Sequence, residues 1–131
     1  MQIIESKNLT VKRITKGKLP SLPFVRMKDQ ILGKTYELSI VFVDKKTIEK
    51  MSQDFKGNKK HTNILSFPLE KNSGEIVMNL QTIRTEAKNF DKKYVEYLGF
   101  LVIHGMLHLK GFVHSSKMEV EEKKFVKIFN L

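Results

Sequence analysis

The chain has 131 residues, of which 40% are hydrophobic and none is cysteine. This length suits one domain with one core, and we expect residues 1–131 to form a single domain. The absence of cysteine excludes disulfides and thiolate metal ligands, and it fits a reducing cytoplasm. No apolar run is long enough to span a bilayer and the N-terminal segment lacks the layout of a signal peptide, so we expect a cytoplasmic protein without a membrane partner.

The charge is strongly positive and unevenly distributed. Lysine and arginine number 24 against 14 acidic residues, a net charge of +10, and the excess lies mainly in residues 1–65 (14 − 6 = +8) rather than in residues 66–131 (10 − 8 = +2). A basic first half favours a polyanionic partner such as nucleic acid. The alternative is a lysine-rich surface that only contacts solvent, since 21 of the 24 basic residues are lysine.

Hydrophobic periodicity and punctuating residues predict alternating strands and helices. In the first half of the chain the prediction is a strand at 1–5, a helix at 23–33 ended by Gly33, a strand at 36–44, a helix at 45–54 capped by Asp44 and a basic loop at 55–62. In the second half it is a strand at 63–68 closed by Pro68, a turn at 71–74, a strand at 75–79, a helix at 80–90 capped by Asn79, and helices at 93–109 and 116–130. This pattern indicates an α+β fold, in which helices pack on one twisted mixed β-sheet.

The predicted helix at 93–109 carries the most informative residues. Its second half is apolar on nearly all sides, which predicts burial, yet it contains His104 and His108, four residues apart on one helical face. Gly111 is placed to end the helix in a left-handed conformation, and His114 follows this turn. One metal held by His104, His108 and His114 would satisfy all three rings and leave one coordination position open, as in catalytic zinc sites. The alternative is that each ring is satisfied by a backbone carbonyl or a water molecule.

The HxxxHxxGxxH spacing is also that of a class of zinc proteases. In those enzymes a glutamate directly after the first histidine is the general base. Here that position is Gly105, which cannot accept a proton from water. The spacing therefore supports a metal site, whereas the residue type argues against this protease chemistry.

The eleven residues from His104 to His114, HGMLHLKGFVH, resemble the YbeY family motif HGxLHLxGYDH. Upstream, TNILSFP at 62–68 and GEIV at 74–77 are similar to two further family segments in the same order, so the resemblance extends over about residues 36–114. It implies a compact α+β fold and a zinc-dependent endoribonuclease that cleaves single-stranded RNA. It also implies a role in maturation of the 3′ end of 16S ribosomal RNA and in ribosome quality control, with ribosomal particles and other assembly proteins as partners.

The resemblance also implies which residues form the site. His104, His108 and His114 would hold Zn²⁺ at the floor of a cleft, and Lys56, where the family usually has arginine, would meet the RNA phosphate. Other candidates for substrate contacts are Lys59, Lys60, Thr62, Asn63 and Ser66. Glu75 is either a base or a residue at a turn exit, and His61 is a loop residue that touches solvent or phosphate rather than a fourth ligand.

Val113 is the main departure, because the family has aspartate at this position. Loss of a carboxylate that orients a metal ligand typically costs 10–100-fold in affinity or activity, and it leaves the general base unassigned. Two other functions therefore stay open beside the ribonuclease. One is a non-catalytic RNA-binding or ribosome-assembly factor with a structural zinc, and the other is a small zinc hydrolase or peptidase, against which Gly105 counts.

Overall fold

The computed structural model describes residues 2–56 and 62–131, without the side chains of Phe55 and Lys56. Five strands and five helices lie in these ranges: β1 Gln2–Ser6, β2 Leu9–Arg13, α1 Phe24–Ile31, β3 Glu37–Phe42, α2 Lys45–Lys56, β4 Ile64–Glu70, β5 Ser73–Met78, α3 Leu80–Asn89, α4 Tyr94–Lys110 and α5 Ser116–Ile128. Every predicted helix is present, with its ends displaced by no more than two residues. The predicted α+β class is confirmed.

The strands form one mixed sheet in the order β1-β2-β3-β5-β4. The outer pairs, β1 with β2 and β4 with β5, are antiparallel, whereas the two central pairings are parallel. The sequence prediction missed β2. Its residues do alternate, with Leu9 and Val11 buried, but only five residues carry the pattern. A tight turn at Asn8, which has a positive φ of 64°, separates it from β1.

Strand β4 lies at the sheet edge, and this position corrects a second prediction. Pro68 was expected to close the strand, but β4 continues to Glu70 with an irregular register after Pro68. Proline lacks an N–H group and is tolerated in edge strands, where only one side of the strand is paired. The strand predicted at 63–68 is therefore two residues longer at its C-terminal end.

The two sheet faces are covered unequally. On one face the main core packs beneath α1, α3, α4 and α5. On the other face a smaller apolar cluster of Val43, Ile48, Leu65 and Val77 packs the sheet against α2. Since side chains alternate between faces along a strand, Ile64, Ser66 and Ile76 point toward α4, while Leu65 and Val77 point toward α2. This alternation decides which strand residues can reach the histidines.

Caps define the helix ends around this sheet. The backbone N–H of Thr47 donates to Asp44 Oδ1 at 2.7 Å, and the N–H of Thr82 donates to Asn79 Oδ1 at 2.8 Å. Both predicted caps are therefore confirmed. Within residues 2–56 and 62–131, no helix combines the length and the apolarity required to cross a membrane.

Candidate metal centre

Helix α4 carries two of the three histidines and ends in a turn that returns the third. Gly111 has a φ of 113°. Its N–H donates to the His108 carbonyl at 3.0 Å, and the N–H of Phe112 donates to the Leu107 carbonyl at 3.0 Å. These two bonds are the Schellman pattern that closes helices with a left-handed residue. The predicted glycine cap is confirmed, and it reverses the chain so that His114 approaches the helix.

The three imidazole rings converge, as the helical spacing of His104 and His108 and the turn at Gly111 predict. The Nε2 atoms of His104 and His108 lie 3.0 Å apart. The His114 ring centroid lies 5.0 Å from that of His104 and 4.9 Å from that of His108. One nitrogen from each ring can be chosen so that all three lie within 4.8 Å of one another, a grouping that could hold a metal ion. His104 and His108 are partly buried and His114 is exposed, so the group opens toward solvent on the His114 side.

The other nitrogens of His104 and His108 face acceptors. His104 Nδ1 lies 2.5 Å from Glu122 Oε2, and His108 Nδ1 lies 3.1 Å from the Phe112 carbonyl oxygen. A carbonyl and an ionised carboxylate can only accept, so both Nδ1 atoms donate. When the rings are neutral, a proton on Nδ1 leaves a lone pair on Nε2. The lone pairs of the two Nε2 atoms point at each other. A cation between them relieves the repulsion, and two nitrogens that each bind one zinc at about 2.0–2.1 Å must be close neighbours. The residues thus fit a divalent metal.

Glu122 is the site residue that the sequence reasoning missed. It lies on α5, 18 residues beyond His104, and is only 7% exposed. Its run of charged neighbours, MEVEEKK at 118–124, is typical of an exposed helix face. The one available signal was helical spacing: Met118, Glu122 and Phe125 recur at intervals of four and three, and all three are buried.

A cleft of about 410 Å³ opens over the histidines. Its described lining consists of Ile64 and Ser66 from β4 together with His104, His108 and His114. The Ser66 hydroxyl donates to the Gly105 carbonyl at 3.3 Å, which ties the edge strand to α4 beside the first histidine. Among the predicted substrate-contact residues that the structure describes, Ser66 lines the cleft together with the histidines.

Thr62 and Asn63 bind other parts of the protein. The Thr62 hydroxyl donates to the Ser52 hydroxyl at 2.9 Å, and the Asn63 amide donates to Glu86 Oε1 at 2.5 Å. The Tyr97 hydroxyl donates to the same Glu86 oxygen at 3.2 Å. Burial, together with the charge of Glu86 and this hydrogen bond, raises the pKa of Tyr97 to about 12. These contacts join the segment just before β4 to α2 and α3, and Tyr97 joins α4 to the same Glu86 carboxylate.

The predicted phosphate-contact residues lie at or beyond the boundary of the described structure. Lys56 was expected in a loop, but its backbone is the last residue of α2, the helix that packs on the opposite sheet face from α4. Lys59, Lys60 and His61 lie outside the described residues. The expectation that these lysines meet phosphate remains a prediction.

Glu75 and Val113 both lie away from the histidine cleft. Glu75 pairs with Phe67 across β5 and β4 and alternates with Gly74 and Ile76, so it faces away from α4. The side chain of Val113 is 72% exposed, while its carbonyl accepts the Ser115 hydroxyl at 3.0 Å. Glu75 is therefore not placed to act as a base at the histidines.

These features define a small α+β protein with a three-histidine candidate metal centre on a buried helix and the turn after it. The family model described as Endoribonuclease YbeY matches residues 4–129, and the chain belongs to the YbeY family.

Individual relatives agree with this assignment. A protein named Endoribonuclease YbeY from Campylobacter jejuni subsp. jejuni is 35% identical over 103 residues, which are 72% of this chain and 77% of the relative. Its namesake from Agrobacterium fabrum is 38% identical over 95 residues, 66% of this chain and 56% of that protein. The solution structure of TM1509 from Thermotoga maritima has a TM-score of 0.63 and 26% identity, and the match covers 91% of this chain and 87% of that one. The resemblance seen in the sequence is thereby confirmed.

Proposed function

We propose that this protein is a metal-dependent endoribonuclease that cleaves single-stranded RNA in maturation of the 3′ end of 16S ribosomal RNA and in ribosome quality control. The observation that carries the proposal is the convergence of His104, His108 and His114 in the lining of one cleft. The relatives named Endoribonuclease YbeY support the reaction type. Ribosomal particles, other assembly proteins and a cytoplasmic location are part of the same proposal.

The three histidines hold Zn²⁺ in this proposal. All three donors are nitrogen, and such a set leaves room for substrate in catalytic zinc sites. When bound, the metal supplies Lewis-acid polarisation of a phosphoryl oxygen or of a water molecule. Ser66 lines the cleft, and Lys56, with Lys59 and Lys60 near it in the chain, offsets the charge that develops on the phosphate. The positive excess in residues 1–65 favours approach of RNA.

Cleavage also requires a base that takes the proton of the attacking hydroxyl or water. No carboxylate is among the described residues that line the cleft, and Glu122 is bonded to His104. One route that asks little of the protein is attack by the substrate's own 2′-hydroxyl on the adjacent phosphorus. The hydroxyl loses its proton, the bond to the 5′ oxygen breaks, and that oxygen takes up a proton. The products are a 2′,3′-cyclic phosphate and a 5′-hydroxyl end, which end-labelling of the cleaved RNA distinguishes from hydrolysis products.

The absence of a carboxylate from the described residues that line the cleft favours one second candidate. A non-catalytic RNA-binding or ribosome-assembly factor would need the histidines only as a structural metal site. It would bind ribosomal particles and leave RNA uncut. A peptidase is a weaker candidate, because Gly105 packs against the sheet and provides no base.

Metal analysis of the purified, zinc-loaded protein tests the site. We expect one zinc per chain in the wild type and in a His61→Ala control, and loss of bound zinc in His104→Ala and His114→Ala. Zinc should also raise the thermal unfolding temperature of the wild type, because a ligand that binds only the folded state stabilises it. A wild type without stoichiometric metal would contradict the proposed site.

Substrate tests separate the candidate functions. The zinc-loaded protein is incubated with single-stranded RNA and, separately, with casein. We expect cleaved RNA, intact casein, and no RNA cleavage by His104→Ala. Cleavage of casein alone would favour the peptidase, and binding of ribosomal particles without RNA cleavage would favour the non-catalytic factor.

A further inference from the structure

Glu122 is a buried acid whose position is set by the core. It is 7% exposed on α5 and lies between Met118 and Phe125, which are 1% and 4% exposed. Both neighbours belong to the main apolar core, so the backbone of this part of α5 has little freedom to move. A buried carboxylate is costly unless it is paired and hydrogen-bonded. Its partner is His104 Nδ1 at 2.5 Å.

This contact selects one form of the His104 ring. An ionised carboxylate accepts but does not donate, so the ring proton resides on Nδ1 and the lone pair on Nε2. That lone pair faces the Nε2 of His108, 3.0 Å away. Without the carboxylate, the proton could occupy either nitrogen and the ring could turn about its bond to Cβ. Both changes would remove the Nε2 donor from the position where the three rings converge.

Helix α5 also determines where His114 lies. His114 directly precedes Ser115, the N-cap of α5, whose hydroxyl accepts the N–H of Met118 at 3.3 Å and donates to the Val113 carbonyl at 3.0 Å. The segment between the Gly111 turn and α5 is thus held at both ends. Two parts of the site, the His114 ring and the carboxylate at His104, therefore depend on the docking of one helix.

We propose that Glu122 is the positioning residue for His104, so that the acid supporting this metal centre comes from α5 and not from position 113. This inference rests on the metal site of the proposed function. It accounts for Val113: the side chain is 72% exposed, and its backbone carbonyl accepts the Ser115 hydroxyl. Carboxylates that orient histidine ligands in this way typically contribute 10–100-fold to metal affinity or activity.

Zinc affinity of three variants, measured by competition with a chromophoric chelator, tests the inference. Glu122→Gln keeps the size of the side chain but can present an NH₂ group to Nδ1. Glu121→Gln is the matched control, with the same charge change one residue earlier on α5. Glu122→Asp restores the carboxylate on a shorter side chain. We expect zinc affinity to fall at least tenfold in Glu122→Gln, to be within about twofold of wild type in Glu121→Gln, and to recover in part in Glu122→Asp.

A second measurement does not depend on metal. Nitrogen-15 shifts of the histidine rings in the metal-free protein report which ring nitrogen holds the proton. We expect Nδ1–H at His104 in the wild type and in Glu121→Gln, and a mixture of tautomers in Glu122→Gln, while circular dichroism shows that each variant is folded. Equal zinc affinities of Glu122→Gln and Glu121→Gln, or an unchanged tautomer, would overturn the role of Glu122. A wild type that binds no zinc but keeps the Nδ1–H tautomer would instead remove the proposed metal function alone.

Discussion

The Ser66 hydroxyl on edge strand β4 donates to the carbonyl of Gly105 on α4 at 3.3 Å, so the helix and the sheet meet directly after the first histidine. A Cβ atom at position 105 would lie 2.9 Å from Ile64 Cδ1, 3.1 Å from Ser66 Oγ and 3.2 Å from Ile76 Cδ1. Glycine is therefore favoured here, because a Cβ atom would force the ends of these side chains to move. The position that holds a catalytic glutamate in the proteases of similar spacing faces the protein interior in this chain.

Gly105→Ala tests this close approach. In an exposed helix the change would add about 1 kcal/mol of stability, whereas overpacking of a core costs about 1–3 kcal/mol. We expect a net decrease of about 1 kcal/mol in the free energy of unfolding, measured by urea denaturation of the metal-free protein. A gain in stability would mean that the three neighbouring side chains move aside without cost.

Ser115→Ala should loosen the segment that carries His114. Loss of an N-cap side chain typically costs about 1 kcal/mol, and the bond to the Val113 carbonyl is lost as well. We expect a decrease of about 1 kcal/mol in the free energy of unfolding together with weaker zinc binding. The matched control is Ser116→Ala on the neighbouring exposed residue, which should keep the wild-type zinc affinity; equal effects of the two changes would contradict the role of the cap.

Val113→Asp restores the acid of the family motif. The side chain at 113 is 72% exposed, and exposed substitutions usually change stability by less than about 0.5 kcal/mol. Because Glu122 already accepts the Nδ1 proton of His104, we expect zinc affinity within about threefold of wild type in equilibrium competition. A tenfold tighter site in Val113→Asp would show that the carboxylate at this position adds support that Glu122 does not provide.

The raised pKa of Tyr97 predicts that the stability of the protein depends on pH in the alkaline range. Its pKa is raised to about 12 in the folded protein from about 10 in an unfolded chain. As the pH rises, the unfolded protein therefore loses this proton before the folded protein does. The contribution of Tyr97 to the free energy of unfolding is complete below pH 10 and is lost as the pH rises toward 12. Denaturant unfolding across this range should show a steeper decline for the wild type than for Tyr97→Phe. Parallel declines would contradict the shifted pKa.

Local patterns in the sequence were sufficient to predict how the three histidines are arranged. The four-residue spacing of His104 and His108 sets their common face through helix geometry alone, and Gly111 reverses the chain because a left-handed residue closes the helix. The caps at Asp44 and Asn79 are likewise contacts within three residues. Each of these features depends on neighbours in the chain, and each was predicted at the correct residue.

Contacts between distant segments of the chain could be identified only from the tertiary structure. Strand β2 is short, and its parallel pairing with β3 joins residues about 29 positions apart. Thr62 and Asn63 were predicted to contact substrate. In the structure the Thr62 hydroxyl donates to Ser52 on α2, and the Asn63 amide donates to Glu86 on α3. Glu122 lies in a charged run that resembles a solvent face, and only the packing of α5 against α4 brings it to His104. Sequence spacing thus determined that the three histidines converge, whereas packing decided which acid contacts His104, because a contact across 18 residues depends on how the helices dock.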